Sequence, residues 1–328
     1  MNDAAAAPLA DRIGRGDRAA LAEALNLLDD RRPAERQKAA ALLARLRHDQ
    51  AGPRGHLIGI TGPPGAGKST LSAALIALWR QRGQRVGVLA VDPSSPISGG
   101  ALLGDRLRMQ TSAGDDGVFV RSLSSRGQFG GLSNEVWPMS QVMLCSFDIV
   151  LIETVGVGQR EVDIARMCDT TCYIAQPGSG DSVQFLKAGI LEVPHILVVN
   201  KHDMGAVARR TLAELGAALN REHPDGHWQV PVLSTSAANQ SGIEALAATL
   251  HAHYLALQAR GELAPRRRSY QAFWILKRLQ EEFGSFGIDQ LGGEQALLAL
   301  LQEQHANALA YYESLRQRLL AGCGHDGH

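Results

Sequence analysis

Twelve residues constrain this chain more than any others: "GITGPPGAGKST", Gly59 to Thr70. Gly62, then four residues, then Gly67-Lys68-Ser69 form a phosphate-loop pattern, placed directly after an apolar run and directly before an amphipathic one. Small residues here let backbone N–H groups turn inward on phosphate oxygens, and a helix N-terminus adds a favourable field. Pro63, Pro64, Gly65 and Ala66 supply the bend, and Thr70 follows in the first helical turn. Lys68 is placed to reach terminal phosphates and the Ser69 hydroxyl to ligate Mg²⁺. The stretch therefore dictates a strand–loop–helix unit and a nucleoside triphosphate ligand.

The surrounding pattern agrees. Short apolar runs alternate with amphipathic segments from His56 to about Gly261, with strands expected at Leu57–Thr61, Val86–Val91, Val118–Arg121, Ile149–Ile152, Cys172–Ala175, Ile196–Val199 and Val230–Leu233. Alternation of this kind gives a mostly parallel central sheet flanked by helices, with ligands at the carboxyl ends of the strands. The fold class is thus α/β, a P-loop NTPase. It divides into an N-terminal helical extension (1–52), a nucleotide-binding α/β domain (53–262) and a C-terminal helical region (263–328). In the first, Asp17 caps a helix running to about Asp30, and Pro33 opens another that ends near His48. In the last, helices are expected over Tyr270–Phe283 and Glu294–Leu320. Their stripe of Ala308, Tyr311, Tyr312, Leu315 and Leu319 suits either cover for the main core or a dimer seam. The closing "GCGHDGH" reads as a frayed end.

Lys plus Arg and Asp plus Glu stand at 33 each among 328 residues, so no global field recruits nucleic acid. No stretch reaches the ~18 apolar residues of a membrane span, and the N-terminus lacks an apolar signal core, so the expected location is cytoplasmic with no membrane partner. Cys145, Cys168, Cys172 and Cys323 are too few for a disulfide framework and read as buried thiols.

The base is chosen by "ILVVNKHDM", which places Asn200, Lys201 and Asp203 directly after a strand. A carboxylate at Asp203 accepts from both N1–H and the exocyclic amine of guanine, whereas adenine presents a lone pair at N1. Leaving such a group unpaired costs about 1–3 kcal/mol, enough for discrimination on the order of 10²-fold. Lys201 can lie along the base plane and Asn200 can tie loops together. Downstream, Ser236-Ala237 in "LSTSAAN" resembles the backbone loop that contacts guanine O6. The cofactor expected is therefore GTP/GDP with Mg²⁺.

Three carboxylates complete the phosphate side. Asp92 ends a strand beside the phosphate-loop strand, a position suited to contact with Mg²⁺ through another ligand or a water. Asp105 follows the Gly99-Gly100 hinge and can enter the site when a triphosphate orders the loop; an exposed pair with Arg106 is the other reading. Glu153 ends its own strand and opens "ETVGVGQRE", in which the N–H of Gly156 can sense the γ-phosphate. The position directly after Gly156 holds Val157 where many GTPases carry a water-positioning Gln. Gln159 and Asp105 are the remaining candidates for that task, and slow intrinsic hydrolysis follows. Arg106 or Arg108 could serve as an arginine finger.

Taken in order, "GPPGAGKST", "VDPSSPISGGALLGDRLRM", "ETVGVGQRE", "PGSGDSVQFLKAGI" and "NKHD" resemble the MeaB-type, or ArgK-like, G proteins, which include the methylmalonic aciduria type A protein. The resemblance implies a homodimer, joined through its C-terminal helices, that chaperones an adenosylcobalamin-dependent acyl-CoA mutase, chiefly methylmalonyl-CoA mutase. It assigns phosphate and Mg²⁺ roles to Lys68, Ser69, Thr70, Asp92, Asp105 and Glu153, and guanine roles to Asn200, Lys201, Asp203, Ser236 and Ala237. It also makes Gln176–Lys187 a mobile third switch. Rival readings are a P-loop kinase, a nickel-delivery GTPase, for which Cys168 and Cys172 make a poor ligand set, and a non-enzymatic scaffold.

Overall fold

A computed structural model describes residues 3–46, 55–92, 115–124, 134–154, 164–178, 194–218, 227–303 and 307–323. Two compact units emerge. One comprises 55–133 with 147–261, and the other gathers 1–54, 134–146 and 262–328.

The first unit is built on β1 (His56–Thr61), β2 (Val86–Asp92), β3 (Val118–Ser124), β4 (Ile149–Thr154), β5 (Thr170–Ala175), β6 (Ile196–Val199) and β7 (Val232–Ser234). All seven sequence-expected strands are present, and they form one sheet in the order β3-β2-β4-β1-β5-β6-β7. Every pairing is parallel. Three of its helices are α4 (Lys68–Gln81), α6 (Ala206–Ala218) and α7 (Ile243–Ala259). Side-chain alternation along β5 shows how both faces are buried. Cys172 and Ile174 join Leu71, Leu75, Trp79, Leu246 and Leu250 from α4 and α7 on one face. Tyr173 and Ala175 join Ala208 and Leu215 from α6 on the other. Runs of Val, Ile and Leu without polar alternation are what strands covered on both sides require. Because the chain leaves β1 toward β2 on one side of the sheet and leaves β5 toward β6 on the other, the order of connections reverses beside the loop after Thr61. The crevice at the carboxyl ends beside such a reversal is the ligand position in open parallel sheets.

The second unit is helical: α1 (Asp3–Gly14), α2 (Arg18–Asp29), α3 (Pro33–Leu46), α5 (Val136–Leu144), α8 (Leu263–Gln290), α9 (Glu294–Glu303) and α10 (Ala308–Cys323). Asp17 caps α2 through Oδ1, which accepts from the Ala19 and Ala20 N–H groups at 2.8 and 3.1 Å. Gly284 (φ 66°) breaks the regular geometry of α8. At the centre, Trp137 of α5 stacks on Trp274 of α8 with ring centroids 5.0 Å apart. The Arg278 guanidinium sits over both Trp274 and Tyr312, at 5.4 and 4.7 Å from the ring centroids. Tyr312 also donates to Glu282, which accepts from Arg316 Nε at 2.6 Å. Ala308, Tyr312, Leu315 and Leu319 are thus buried, and α10 packs on α3 and α8 of this same unit. That stripe covers the helical unit's own interior, an outcome periodicity alone does not separate from cover for the α/β core or a seam between subunits. Among the described residues no helix is long and apolar enough to cross a membrane.

Candidate functional site

The phosphate loop runs from the end of β1 into α4, and two glycines fix its course. Gly62 has φ +141°, and a Cβ there would lie 2.2 Å from the Ile174 carbonyl oxygen of β5. Gly67 has φ +85°, and its Cβ would lie 2.6 Å from Asn200 Nδ2. No L-residue side chain fits either place, so the loop is drawn tight against β5 on one side and the base loop on the other. Lys68, buried, curls its Nζ back to donate to the carbonyls of Gly62 (2.8 Å) and Pro63 (3.0 Å). Pro63 and Pro64 carry no N–H, so phosphate donors begin at Gly65. The Ala66 N–H turns to the Pro63 carbonyl at 3.3 Å. With the N-terminus of α4, the cradle is electropositive.

Against it stands a carboxylate. Glu153 is buried near the end of β4, paired in register with Ile60 of β1 and Ala90 of β2. Ser69 Oγ donates to its Oε1 at 2.6 Å. Asp92 is the last residue of β2, level with Ser124 of β3. Asp105, Gly156 and Gln159, with Arg106, Arg108 and the span 179–187, lie outside the described residues.

The base loop follows β6. Asn200, buried, donates through Nδ2 to the Ala66 carbonyl at 2.9 Å, while its Oδ1 accepts from Thr235 Oγ1 at 3.1 Å. One amide thereby joins the phosphate loop to the segment after β7. Lys201 adopts a left-handed conformation (φ 58°), and its Cε reaches to 3.8 Å from where a Gly67 Cβ would be. Asp203 is exposed, and its Oδ1 accepts from Ser236 Oγ at 2.6 Å. That hydroxyl, with the residue's own N–H, holds the carboxyl below its ordinary range, so it is ionised at neutral pH. The backbone of Ser236 pairs with Ser241 in both directions, at 3.0 and 3.1 Å, which folds the loop containing Ala237 over this corner.

One residue near the site, Thr235, was not singled out by sequence, whereas Gln176 opens the expected third switch. Thr235 anchors Asn200 and, through its carbonyl, accepts the His202 N–H at 2.9 Å; its only signal was the position before Ser236. Gln176, the first residue after β5, brings its Oε1 to 3.2 Å from a Gly65 Cβ position. Cys168 and Cys172 are buried, unbridged thiols, and burial raises the pKa of both. Among the described residues no group of three or more His, Cys, Asp or Glu is placed to hold a metal.

A fully parallel sheet with a phosphate loop after its central strand and an Asn-Lys-x-Asp loop two strands away defines a P-loop GTPase. The sequence model of the family described as "Methylmalonyl Co-A mutase-associated GTPase MeaB" matches residues 21–286, and the chain belongs to that family of GTP hydrolases. A putative GTPase of Pyrococcus horikoshii is 42% identical over 267 residues, covering 80% of this chain and 81% of its own. The GTPase ArgK of Escherichia coli is 36% identical over 86% of each chain. The mitochondrial methylmalonic aciduria type A homolog of Caenorhabditis briggsae is 35% identical, covering 81% of this chain and 68% of its own. Among solved structures, one titled LAO/AO transport system kinase superposes with a TM-score of 0.69 at 28% identity, covering 97% of this chain and 99% of that one.

Proposed function

We propose that this GTPase chaperones an adenosylcobalamin-dependent acyl-CoA mutase, most specifically methylmalonyl-CoA mutase, as a cytoplasmic homodimer. GTP binding and slow hydrolysis are coupled to cofactor loading and to protection of the mutase. The observation that carries this reading is membership in a family described as mutase-associated, combined with a base loop whose ionised Asp203 is oriented by Ser236.

Ser69 and Glu153 support Mg²⁺ as the companion ion. Their hard oxygens lie 2.6 Å apart, near the ~2.9 Å edge of an octahedron with bonds of 2.0–2.1 Å. Ser69, Glu153, Asp92 and Asp105 would hold the ion directly or through water, and when bound it neutralises phosphate charge. Lys68 leaves the carbonyls of Gly62 and Pro63 for the β- and γ-phosphates, and the loop amides other than that of Ala66, which turns to the Pro63 carbonyl, hold the remaining oxygens. Phosphoryl transfer to water needs little beyond this charge neutralisation and a placed water. Asp105 or Gln159 fills the latter role, with Gly156 against the γ-phosphate. With no Gln directly after Gly156, the switches await the partner.

The deciding experiment is GTP turnover with and without a purified mutase. Stimulated turnover and a complex whose stability depends on the bound nucleotide are expected; the absence of both overturns the chaperone role. Labelled GTP distinguishes a kinase, which leaves label on an acceptor, from a hydrolase, which leaves only inorganic phosphate. Asp203→Asn is expected to shift preference from GTP to xanthosine triphosphate, by competition binding, and an unchanged preference refutes the base contact.

A further inference from the structure

At the opposite ends of the same strands lies a group of titratable side chains that nucleotide chemistry does not use. His56 opens β1, about 17 Å along the strand from the phosphate loop. His195 directly precedes β6, and His253 projects from α7; all three are buried. Thr170 links two of them, its Oγ1 lying 2.7 Å from His56 Nε2 and 2.8 Å from His253 Nδ1. His195 Nδ1 accepts the Thr171 N–H at 3.0 Å, while the His195 N–H donates to the Thr171 carbonyl at 2.9 Å. The His195 ring packs on His253 with centroids 4.3 Å apart, and His253 meets the edge of Trp228 at 4.7 Å. Trp228 Nε1 in turn donates to the His195 carbonyl at 2.8 Å. Tyr254 of α7 stacks on His56 at 4.4 Å.

The contact from Thr171 fixes one proton position. A backbone N–H is always a donor, so Nδ1 of His195 must carry a lone pair; a proton there would set two N–H groups face to face. The Thr170 hydroxyl has one hydrogen, so if it serves this pair, one of His56 and His253 must present a lone pair to it. The elements that carry these rings also hold Asp169, in the turn before β5, whose Oδ2 accepts the Leu57 N–H at 2.9 Å, Cys172 on β5, and Tyr254 on α7, stacked on His56. Exposed His227 adjoins Trp228, its carbonyl accepting from Arg260 at 2.9 Å.

We propose that His195, together with His56 and His253 joined through Thr170, forms a proton-sensitive latch that holds the C-terminal half of α7 on the sheet at neutral pH and releases it on acidification. The unfolded chain takes up protons that the latch excludes, so stability is full above the ordinary imidazole range and falls as pH drops through it. Each excluded proton steepens the rise of the unfolding constant by about tenfold per pH unit.

The test is urea unfolding between pH 7.5 and 5. His195→Asn keeps an acceptor for the Thr171 N–H but cannot titrate. Stability near wild type at pH 7.5 is expected, with a pH slope shallower by about one log unit per pH unit between pH 6 and 5; an unchanged slope overturns the proposal. Should that variant fail to fold, ¹⁵N resonances of the His195 ring in the wild-type protein decide. The ring is expected to stay neutral below about pH 5.5, and titration at or above about 6.5, the value of a free imidazole, overturns the proposal. Amide exchange supplies the last check: Tyr254 and its neighbours should lose protection on acidification before α4 does, and simultaneous loss refutes a local release.

Discussion

Asn200 offers the sharpest quantitative test of how the site is held together. Its amide donates to the Ala66 carbonyl and accepts from Thr235, and all three residues are buried. Asn200→Ala leaves two buried polar atoms without these partners, at about 1–3 kcal/mol each, so a loss of about 2–6 kcal/mol is expected. Thr235→Val alone strips Asn200 Oδ1 of its donor and is expected to destabilise by about 1–3 kcal/mol. In the Asn200→Ala background the same valine instead removes an orphaned hydroxyl, and it should restore about 1–3 kcal/mol. The sign of one substitution thus reverses with its background. Urea denaturation of the four proteins of this cycle measures it directly, provided the transition monitored is that of the α/β unit. GTP affinity should fall with Asn200→Ala and stay low in the double variant, since valine cannot re-anchor the Ala66 carbonyl. Additive effects, with Thr235→Val harmful in both backgrounds, would refute the coupling.

Gly62→Ala forces a methyl to within 2.2 Å of the Ile174 carbonyl at φ +141°. A stability loss above about 2 kcal/mol and abolished nucleotide binding are expected from denaturation and fluorescent-nucleotide titration. In the helical unit, Glu282 is pushed up by burial but drawn down further by hydrogen bonds from Tyr312 and Arg316, so its carboxyl sits below the usual range. Its contribution is present above the ordinary Glu range and lost as pH falls through the depressed folded value. Glu282→Gln should therefore flatten the acid limb of helical-unit stability, measured by circular dichroism, with the largest difference from wild type above pH 5.

Much of the α/β unit was legible because its signals are local. Each strand is a short block of Val, Ile and Leu between turn residues, and strands in that register must be parallel when helices intervene. Strand ends drifted by two or three residues: β3 continues past Arg121 to Ser124, and β5 begins at Thr170, where polar residues help carry the ladder beyond the apolar block. The loop chemistry was legible where a residue's type fixes its task, as for Gly62, Lys68 and Asp203. Thr235 was not, since a threonine beside the Ser-Ala pair gains its meaning only from the distant Asn200 it meets. The same holds for residues 134–146. Val136, Trp137, Met139, Val142 and Met143 fall within the span 53–262, yet they group with the terminal helices. That grouping rests on pairs such as Trp137 with Trp274, which no local pattern announces. The stripe on α10 failed to discriminate for the same reason: periodicity reports that a face is buried, not what buries it.

The position of β1 in the sheet has a consequence for biosynthesis. The strand that launches the phosphate loop is flanked by β4 and β5, so during synthesis it has no permanent neighbour until Ile149 has left the ribosome, and its second flank closes only after Ala175. Until then the "GITGPPGAGKST" stretch is an unpaired apolar strand attached to a glycine-rich loop, the kind of edge that invites mispairing. The Ile174 carbonyl, against which Gly62 lies in the finished fold, is made only later. Nascent chains stalled short of β5 would carry the whole phosphate-loop sequence and bind no nucleotide, leaving them dependent on cellular holdases for that interval.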